Sequence, residues 1–420
     1  MPLPNGSTVH IVGAGVAGLS AAVRATEAGA RVIVHEAAGQ AGGRCRSFFD
    51  EVLGAEIDNG NHLLLSGNRS AMRYLATIGA ERELLVMPTA AIPFVDLATG
   101  DSWTVRPNRG LLPWWIFSPA RRTAGARAAD FLAGVKLATA GAASVNDLFG
   151  RQEPTFRRFW EPLAVAVLNT AAREAAAKLL WPVMTETIGR GATAARPCIA
   201  RDGLSKAFVD PALAWLKSRG AEIRFNDRLR AIRLEGGRAA ALSVGDDEAD
   251  IAPTDRVVLA VPPFIAAALL PSLTVPDDFR PIVNLHYRLA ALTALPGGLP
   301  LLGLVGGTAQ WLFVRGTILS VTISAAEREV DMPAEALIAL VWADIAGALA
   351  LGEARPPPCR VVKEKRATFA QTPAQLAKRP KADTGPDHLA LAGDWTDTGL
   401  PATIEGAIRS GEIAVRMLGG

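Results

Sequence analysis

The chain has 420 residues, enough for a large core and about two domains at roughly 100–200 residues per domain. Half of the residues are hydrophobic, only 20% are charged, and the mean hydropathy is +0.22. This excess of apolar side chains predicts a large interior cavity, a membrane-facing patch, or both. The net charge of +3, without a dense basic face, argues against nucleic-acid binding.

The cysteines and the N-terminal residues indicate the cellular compartment in which the protein is expected. Cys45, Cys198 and Cys359 are widely spaced and form no C-x-x-C pair, which predicts neither a metal cage nor a disulfide framework and fits a reducing cytoplasm. The first ten residues lack the basic and apolar regions of a signal peptide. No uninterrupted apolar run reaches the roughly 20 residues that span a bilayer. We therefore expect a cytoplasmic protein that contacts the inner membrane only peripherally.

The first motif lies in residues 9–44, which open with an apolar β-branched run and so predict a buried strand. Gly13, Gly15 and Gly18 follow at G-x-G-x-x-G spacing, then a predicted helix, then a second predicted strand at 31–36. The first glycine makes a tight turn, the second lets the backbone approach a pyrophosphate, and the third lets the helix lie close to the strand. The motif therefore predicts dinucleotide binding; a glycine-rich turn in another kind of α/β protein is the alternative.

Glu36 ends the second predicted strand, where a carboxylate accepts hydrogen bonds from the hydroxyls of an adenosine ribose. Gly42, Gly43 and Arg44 follow after a short loop. This order of glutamate, short loop and Gly-Gly-Arg resembles flavoproteins of the amine oxidase and carotenoid desaturase type. The resemblance implies that the dinucleotide is FAD.

A dense polar stretch comes next and contains Asp58, Asn59, Asn61 and His62 before a run of leucines. It predicts a turn that leads into a strand beside the cofactor. The alternative is a surface turn in which Asp58 and Asn59 bond their own backbone. A single histidine in an apolar setting is more often a satisfied core residue than a catalyst, so both interpretations stay open.

Residues 68–86 predict a helix and a loop, and residues 95–105 predict a hairpin. A cluster of apolar and aromatic residues follows at 111–117, and Pro113 within it argues against a strand or a helix interior. Four basic residues flank this cluster: Arg106, Arg109, Arg121 and Arg122. Tryptophans beside arginines suit the interface of a lipid bilayer. They also suit the wall of an apolar substrate tunnel, or ordinary core packing.

The middle of the chain predicts two inserts separated by a return of the dinucleotide fold. The first insert predicts only helices, at residues 123–150, 156–160, 162–170 and 171–181. The returning block predicts a helix at 207–219, strands at 221–225 and 256–261, and a hairpin formed by 229–234 and 239–244. The second insert predicts strands at 287–292, 310–315 and 318–323 and a helix at 334–349.

The last block predicts a short strand at residues 389–392 that ends in Gly393 and Asp394. Gly393 allows a close backbone turn, and Asp394 can accept from ribityl or ribose hydroxyls. Residues 401–405 open a predicted helix whose free N–H groups would face the pyrimidine edge of a flavin, which becomes negative on reduction. An ordinary strand–loop–helix unit is the alternative.

With both ends considered, the chain resembles the FAD-dependent amine oxidase and phytoene desaturase superfamily over essentially its whole length. Residues 57–68, 365–369 and 391–411 resemble the squalene-associated flavoproteins, which are the hydroxysqualene dehydroxylases of bacterial hopanoid and squalene synthesis. The resemblance implies an α/β fold with a Rossmann-like FAD-binding domain of the two-dinucleotide-domain type and an inserted α+β substrate domain. The FAD-binding domain is expected to be discontinuous, at 1–75, 200–270 and 366–420, with the substrate and membrane-facing domain at 76–199 and 271–365.

The resemblance also implies a set of FAD-binding residues. They are Gly13, Gly15, Val16, Ala17, Gly18, Glu36, Ala37, Gly42, Gly43, Arg44, Leu229, Gly393, Asp394, Ala402, Thr403 and Ile404. The final loop contains no cysteine or histidine and Cys359 lacks the setting of a covalent-flavin cysteine, so we expect non-covalent FAD. No second G-x-G-x-x-G is present for a nicotinamide cofactor. We expect electrons from transiently bound NAD(P)H or from a partner reductase, and other enzymes of the squalene pathway are further expected partners.

The implied reaction is the reductive removal of an allylic hydroxyl from a hydrophobic isoprenoid, with hydride from reduced FAD. His62, Asp58 and Asn61 are the candidate catalytic residues by position, and Tyr287 is a more distant candidate proton donor. Three alternatives remain. One is an oxidative desaturase of a carotenoid or other polyene. Another is an amine oxidase, which the scarcity of tyrosines argues against. The third is a lipid escort without catalysis on the same fold, which would not need the intact FAD motif.

Overall fold

The computed structural model describes residues 6–245, 247–291, 294–352, 355–383 and 385–419. The strands, in chain order, are β1 (Thr8–Val12), β2 (Arg31–His35), β3 (Ser47–Asp50), β4 (Ala55–Asp58), β5 (Leu64–Leu65), β6 (Leu84–Val86), β7 (Ile92–Asp96), β8 (Ser102–Val105), β9 (Pro197–Ala200), β10 (Glu222–Arg224), β11 (Leu229–Glu235), β12 (Arg238–Val244), β13 (Asp247–Asp250), β14 (Arg256–Leu259), β15 (Phe279–Arg288), β16 (Leu301–Val305), β17 (Trp311–Arg315), β18 (Ile318–Ser324), β19 (Cys359–Phe369) and β20 (Leu389–Leu391).

The α-helices, in chain order, are α1 (Val16–Glu27), α2 (Arg69–Thr77), α3 (Ala128–Leu132), α4 (Val145–Phe149), α5 (Glu161–Leu168), α6 (Leu180–Glu186), α7 (Asp210–Lys217), α8 (Pro263–Leu269), α9 (Ala334–Leu349), α10 (Pro373–Leu376) and α11 (Ile404–Met417). Short 3₁₀ segments include Trp114–Phe117 and Ala133–Thr139, and π-helical segments occupy Phe156–Trp160 and Ser205–Val209. The predicted α/β class is confirmed.

A five-stranded parallel sheet, in the order β10-β2-β1-β14-β20, forms the centre of the nucleotide-binding part. Its strands are short, buried and rich in valine, isoleucine and leucine, as expected for a parallel sheet covered on both faces. Helices α1 and α11 pack on this sheet and on each other. They approach so closely that a side chain on Gly411 would reach within 2.4 Å of the Ala17 carbonyl oxygen.

A seven-stranded mixed sheet, in the order β19-β15-β18-β17-β16-β7-β8, forms the second large layer. Its β7–β16 pair is parallel and its other pairs are antiparallel. One face is apolar and packs against α9 through residues such as Leu285, Val321 and Trp342. The opposite face carries polar side chains at alternate positions of β15 and β18, because successive residues of a strand point to opposite sides.

Several helices and strands begin or end at other residues than the sequence predicts. Only residues 287 and 288 of the strand predicted at 287–292 lie in a strand, because β15 runs from Phe279 to Arg288. Residues 289–291 are outside any strand, and Leu292 lies outside the described residues. Pro281 looks like a strand breaker in the sequence. It lies where the pairing with β19 shifts register between Arg280 and Ile282, so the ladder needs no N–H there.

The Ala-rich insert is less helical than the sequence predicts. Residues 123–150 form two five-residue helices joined in part by a 3₁₀ segment, because Gly125 and Gly141 adopt positive φ and interrupt the pattern. The helix predicted over 171–181 is also wrong in its first half. Ala176 instead pairs with Ser144 and donates its N–H to the Gln371 carbonyl, so tertiary contacts replace the helical hydrogen bonds.

The parallel sheet contains a buried pair of histidines, His10 on β1 and His35 on β2, whose rings stack at 5.4 Å. The His10 Nδ1 atom lies 3.1 Å from His35 Nε2, and His35 Nδ1 lies 2.8 Å from an Asp227 carboxylate oxygen. Burial, helped by the neighbouring His35, lowers the pKa of His10 to about 4, and burial also lowers the pKa of His35.

We expect this pair to make the fold acid-sensitive. The folded pKa values lie below those of the unfolded chain, so the unfolded state binds more protons and stability is lost as the pH falls from about 6.5 toward 4. Each histidine contributes a slope of at most about 1.4 kcal/mol per pH unit. Urea unfolding of wild type and His10→Val between pH 6.5 and 5 measures this slope. The variant is expected to have a shallower slope, and an unchanged slope would contradict the assignment.

Candidate active site

The glycine-rich turn between β1 and α1 has the geometry of a phosphate cradle. Gly13 has a φ of 104°, and a side chain there would come within 2.5 Å of the Ala260 carbonyl oxygen. A side chain on Gly18 would lie 1.9 Å from the Gly13 carbonyl oxygen. Gly15 differs, because a side chain on it would meet nothing within 4 Å and would project into open space at the start of α1. The open space above Gly15 is therefore where a pyrophosphate fits.

Glu36 follows β2 directly and lies beside the glycine-rich turn. Its carboxylate accepts the N–H groups of Ala14 at 2.7 Å and Ala38 at 2.8 Å, and retains acceptor capacity for hydroxyl groups. The Glu36 carbonyl accepts from the Asp227 N–H at 2.8 Å. This contact brings the start of β11, with Leu229, to the same end of the sheet as Glu36. Ala37 is exposed beside it.

The Gly-Gly-Arg loop folds back over the glycine-rich turn. Gly42 forms an isolated bridge with Gly15, and its N–H donates to the Ala14 carbonyl at 2.8 Å. Arg44 then reaches across to the C-terminal motif. Its guanidinium lies 2.7 Å from an Asp394 carboxylate oxygen and also donates to the Ala367 carbonyl. The Arg44 side chain stays 43% exposed, whereas that of Asp394 is 9% exposed.

The C-terminal motif forms a strand, a loop and a helix, as the sequence predicts. Helix α11 begins at Ile404, directly after its N-cap residue Thr403, whose hydroxyl accepts the Gly406 N–H at 3.1 Å. The first turn of any helix has N–H groups without intrahelical acceptors, and Ile404 opens that turn. The Ala402 N–H is held at 2.9 Å by the side-chain oxygen of the fully buried Gln371.

Arg379 is a buried residue of this site that the sequence analysis missed. Its guanidinium donates to the carbonyl oxygens of Leu400 at 2.8 Å and Asp394 at 3.2 Å, and also to those of Trp395 and Thr396. It therefore holds the loop after β20 from inside. No local motif announces this role, because the contacts depend on how the loop at 394–400 folds around a residue fifteen positions or more upstream.

Asp58, Asn61 and His62 lie together and line a small cavity with Leu204, Phe313, Arg315 and Ser320. Asp58 is the last residue of β4, so the predicted turn begins one residue later. Its carboxylate accepts from Ser47 Oγ at 2.6 Å, the Leu204 N–H at 2.9 Å and Arg315 at 2.6 Å. These three partners hold Asp58 as a paired, positioned carboxylate.

The environment of His62 keeps its imidazole neutral at neutral pH. Burial and the nearby Arg44 charge lower the pKa of His62 to about 4, although Asp58 opposes this shift. Asn61 is oriented by the mixed sheet, because its amide donates to Thr322 Oγ1 at 3.1 Å and lies 3.4 Å from Asn284 Oδ1. The candidate residues of the polar stretch thus meet the polar face of that sheet.

The polar face contributes further side chains that the sequence analysis missed: Asn284 and His286 on β15, Ser320 and Thr322 on β18, and Arg315 on β17. His286 is fully buried and its Nδ1 lies 2.7 Å from Ser320 Oγ. Its Nε2 has no hydrogen-bond partner among the described residues. The alternation of polar and apolar residues along these strands was the available signal.

Aromatic side chains stand next to these polar groups on the same face. Trp311 and Phe313 of β17 stack at 6.4 Å, and Trp311 meets Phe94 edge-on at 5.5 Å. Both tyrosines point elsewhere. The Tyr74 hydroxyl donates to the Phe208 carbonyl, and the Tyr287 hydroxyl donates to the Ile338 carbonyl on the α9 side of the sheet. Tyr287 is therefore placed away from His62 and cannot donate a proton at that cavity.

The model of the flavin containing amine oxidoreductase family matches residues 16–418. The chain belongs to this family. A protein of Rhodopseudomonas palustris named hydroxysqualene dehydroxylase is 46% identical to this chain, over 98% of both chains. A protein of Zymomonas mobilis with the same name is 43% identical to it, over 97% of this chain and 98% of the relative. A zeta-carotene desaturase of Solanum lycopersicum is 38% identical over only 19% of this chain and 13% of its own.

Solved structures of the same fold include putrescine oxidase, with a TM-score of 0.72 at 15% identity over 98% of both chains. Cyclohexylamine oxidase from Brevibacterium oxydans has a TM-score of 0.71 at 15% identity over 99% of both chains. The chain is a flavin-dependent oxidoreductase. The cradle at Gly15, the acceptor at Glu36 and the Arg44–Asp394 pair fit such a cofactor, and the individual FAD-binding residues remain predictions.

We expect Gly15→Val to separate cofactor binding from folding. The Gly15 backbone has a φ of −69°, which any residue adopts, and its side chain would enter open space rather than protein. The variant is therefore expected to fold, with a melting temperature of the cofactor-free protein within about 4 °C of wild type, but to lose bound FAD. Flavin absorbance after purification and a fluorescence titration with FAD measure this loss.

Gly29→Val is the matched control, because a side chain on Gly29 also meets nothing within 4 Å and the residue lies at the far end of α1. Gly29 has a φ of 84°, so this variant is expected to lose some stability and to keep FAD. A yellow Gly15→Val protein with wild-type FAD affinity would show that the pyrophosphate does not lie at the Gly15 turn.

Proposed function

We propose that this oxidoreductase is a hydroxysqualene dehydroxylase that binds FAD non-covalently. Hydroxysqualene and FADH₂ would give squalene, FAD and water. The observation that carries the proposal is the similarity to the bacterial hydroxysqualene dehydroxylases along nearly the whole chain. When bound, the reduced cofactor supplies a hydride from its N5 atom.

The residues expected to hold FAD would contact it from three directions. Glu36 would accept hydrogen bonds from the ribose hydroxyls, and the turn at Gly15 would bind the pyrophosphate. The ion pair of Arg44 and Asp394 would lie between them, where the Gly-Gly-Arg loop meets the C-terminal motif. The first turn of α11 would lie at the pyrimidine edge, where its N–H groups favour negative charge. An escort protein that only carries a lipid needs none of these groups, so their presence supports catalysis.

The polar face of the mixed sheet supports the removal of a hydroxyl. A hydrocarbon chain needs an apolar wall, which Trp311, Phe313 and Phe94 provide, and the single hydroxyl needs donors at one point. His62 would provide that point, with Asn61 lining the same cavity and the Arg44 charge nearby. Water must be kept from a developing allylic cation, and the buried strands around the cavity serve that purpose.

His62 is proposed to donate the proton that leaves with the hydroxyl, while Asp58 positions the surrounding polar groups. With a pKa of about 4, only about one imidazole in a thousand is protonated at pH 7, so the proton is available but scarce. Asp58 is engaged with Arg315, Ser47 and Leu204, which fits a positioning residue better than a proton donor.

The source of electrons is also part of the proposal. Either NAD(P)H binds transiently at the flavin or a partner reductase delivers the electrons. The sequence contains one G-x-G-x-x-G motif, which the FAD site uses. Anaerobic addition of NADPH to the oxidised protein distinguishes these routes, because direct reduction bleaches the flavin absorbance and a reductase-dependent protein stays yellow.

The reaction is tested by a single anaerobic turnover. Flavin in the purified protein is reduced with dithionite, excess dithionite is removed, and hydroxysqualene is added while the flavin absorbance is followed. We expect reoxidation matched one to one by squalene in the extract. Absence of reoxidation, together with bleaching of the oxidised protein by a polyene, would instead establish an oxidative desaturase, the alternative that the short match to zeta-carotene desaturase supports.

The pH dependence of that turnover tests His62. If imidazolium delivers the proton, the fraction of protonated His62 rises about tenfold for each pH unit of acidification above pH 4. The single-turnover rate at saturating substrate is therefore expected to rise about a hundredfold from pH 7.5 to 5.5. His62→Gln is expected to be slow and independent of pH, and the half-buried His388→Asn, outside the cavity, serves as the control. A wild-type rate in His62→Gln would remove His62 from the mechanism.

A further inference from the structure

The loop at residues 106–122, between β8 and α3, exposes large apolar side chains to solvent. The exposed fractions are 74% for Leu111, 80% for Leu112, 50% for Trp114 and 63% for Phe117. Single exposed apolar residues are common, but four within seven positions form a patch of the kind that marks an interaction site. No helix of the described residues is long and apolar enough to cross a membrane.

The 106–122 loop is held in a defined shape by buried groups beneath the patch. Asn108 is buried, accepts the Trp115 N–H at 3.0 Å and donates to the carbonyls of Arg109 at 2.7 Å and Leu112 at 2.9 Å. Trp115 and Ile116 are buried in the core, and Trp115 packs edge-on against Phe131 of α3 at 5.2 Å. The exposed side chains are therefore presented by an ordered loop.

The charge around the patch is strongly positive. Residues 106–136 contain six basic side chains and one acid, so this segment carries +5 in a chain whose net charge is +3. The basic residues are Arg106, Arg109, Arg121, Arg122, Arg127 and Lys136. The single acid, Asp130, is buried and bonded to Arg127 and Thr155. Arg127 is therefore paired with that acid, whereas Arg106, Arg109, Arg121 and Arg122 form no ion pair with any of the described residues.

The arrangement of tryptophan and arginine matches the boundary between acyl chains and headgroups. The Arg121 guanidinium lies over the Trp114 ring at 4.8 Å, and Arg106 and Arg121 meet at the base of the loop, where the Arg106 N–H donates to the Arg121 carbonyl at 2.8 Å. Tryptophan and arginine are both enriched at this boundary, where one end of the side chain is apolar and the other is wet.

We propose that the 106–122 loop docks the protein on a bilayer that contains anionic lipids. Leu111, Leu112, Trp114 and Phe117 enter the boundary with the acyl chains, and the surrounding arginines bind lipid phosphates. A neutral protein partner would not require the positive rim, and a second copy of the chain would bring two positive rims together. The charge therefore favours an anionic membrane. This docking does not depend on which isoprenoid the active site accepts.

The test is co-sedimentation of the purified holoprotein with vesicles of phosphatidylcholine alone, or of phosphatidylcholine and phosphatidylglycerol at a ratio of 7:3. We expect binding to the anionic vesicles that decreases with salt. Leu111→Ser/Leu112→Ser is expected to lower the partition coefficient at least tenfold, because two exposed leucines lose their burial in lipid. Arg109→Glu is expected to lower binding to the anionic vesicles only.

Matched controls use residues outside the loop. Leu234→Ser/Leu340→Ser removes two other exposed leucines, and Arg82→Glu reverses another exposed arginine; both are expected to bind like wild type. Retained flavin absorbance and single-turnover activity show that each variant is folded. Equal sedimentation of Leu111→Ser/Leu112→Ser and wild type would overturn the proposal. So would a wild-type dimer that this variant converts to monomer, since the patch would then be covered by a second copy.

Discussion

The close packing of the last helix on the first is the constraint on which the cofactor site depends. Gly411 of α11 leaves no room for a side chain beside the Ala17 carbonyl, and Ser20 Oγ of α1 donates to the Ile408 carbonyl at 2.8 Å. This contact brings the C-terminal motif beside a glycine-rich turn nearly four hundred residues earlier in the chain. In the same region, Arg44 and Asp394 form an ion pair that joins the Gly-Gly-Arg loop to the C-terminal motif.

The mixed sheet has one face in the hydrophobic core and the other face at the candidate active site. Its strands serve both because apolar and polar side chains alternate along them. Leu285 and Val321 point to α9, while Asn284 and Thr322 lie on the opposite face, beside Asn61, and hydrogen bond to each other at 2.9 Å. Buried polar groups are costly without partners, and this mutual pairing offsets that cost. The same pairing fixes the orientation of Asn61, so that fold stability and site geometry rely on the same contacts.

Two buried polar residues hold the segment that follows β20. Arg379 donates to the carbonyl groups of residues 394, 395, 396 and 400, and Gln371 joins the Ala402 N–H to the Leu168 carbonyl of the helical insert through its two amide atoms. A buried guanidinium is costly unless its donors find acceptors, and here four carbonyl oxygens accept from four of its five N–H groups. The loop that is expected to face the flavin is thus held by hydrogen bonds to buried side chains.

The sequence by itself determined the nucleotide-binding half, because its signals are local. The glycine spacing, Glu36, the Gly-Gly-Arg loop and the strand–loop–helix unit at 389–405 each follow from neighbouring residues. Helix α9 of the second insert also begins and ends as its local pattern predicts. Only the tertiary structure decided the contacts around the candidate active site. The partners of Asp58, the role of Arg379 and the polar face around His286 depend on contacts between distant segments. The exposure of Leu111 and Leu112 was equally undecided, because burial depends on what packs against a segment, and a local pattern does not contain that information.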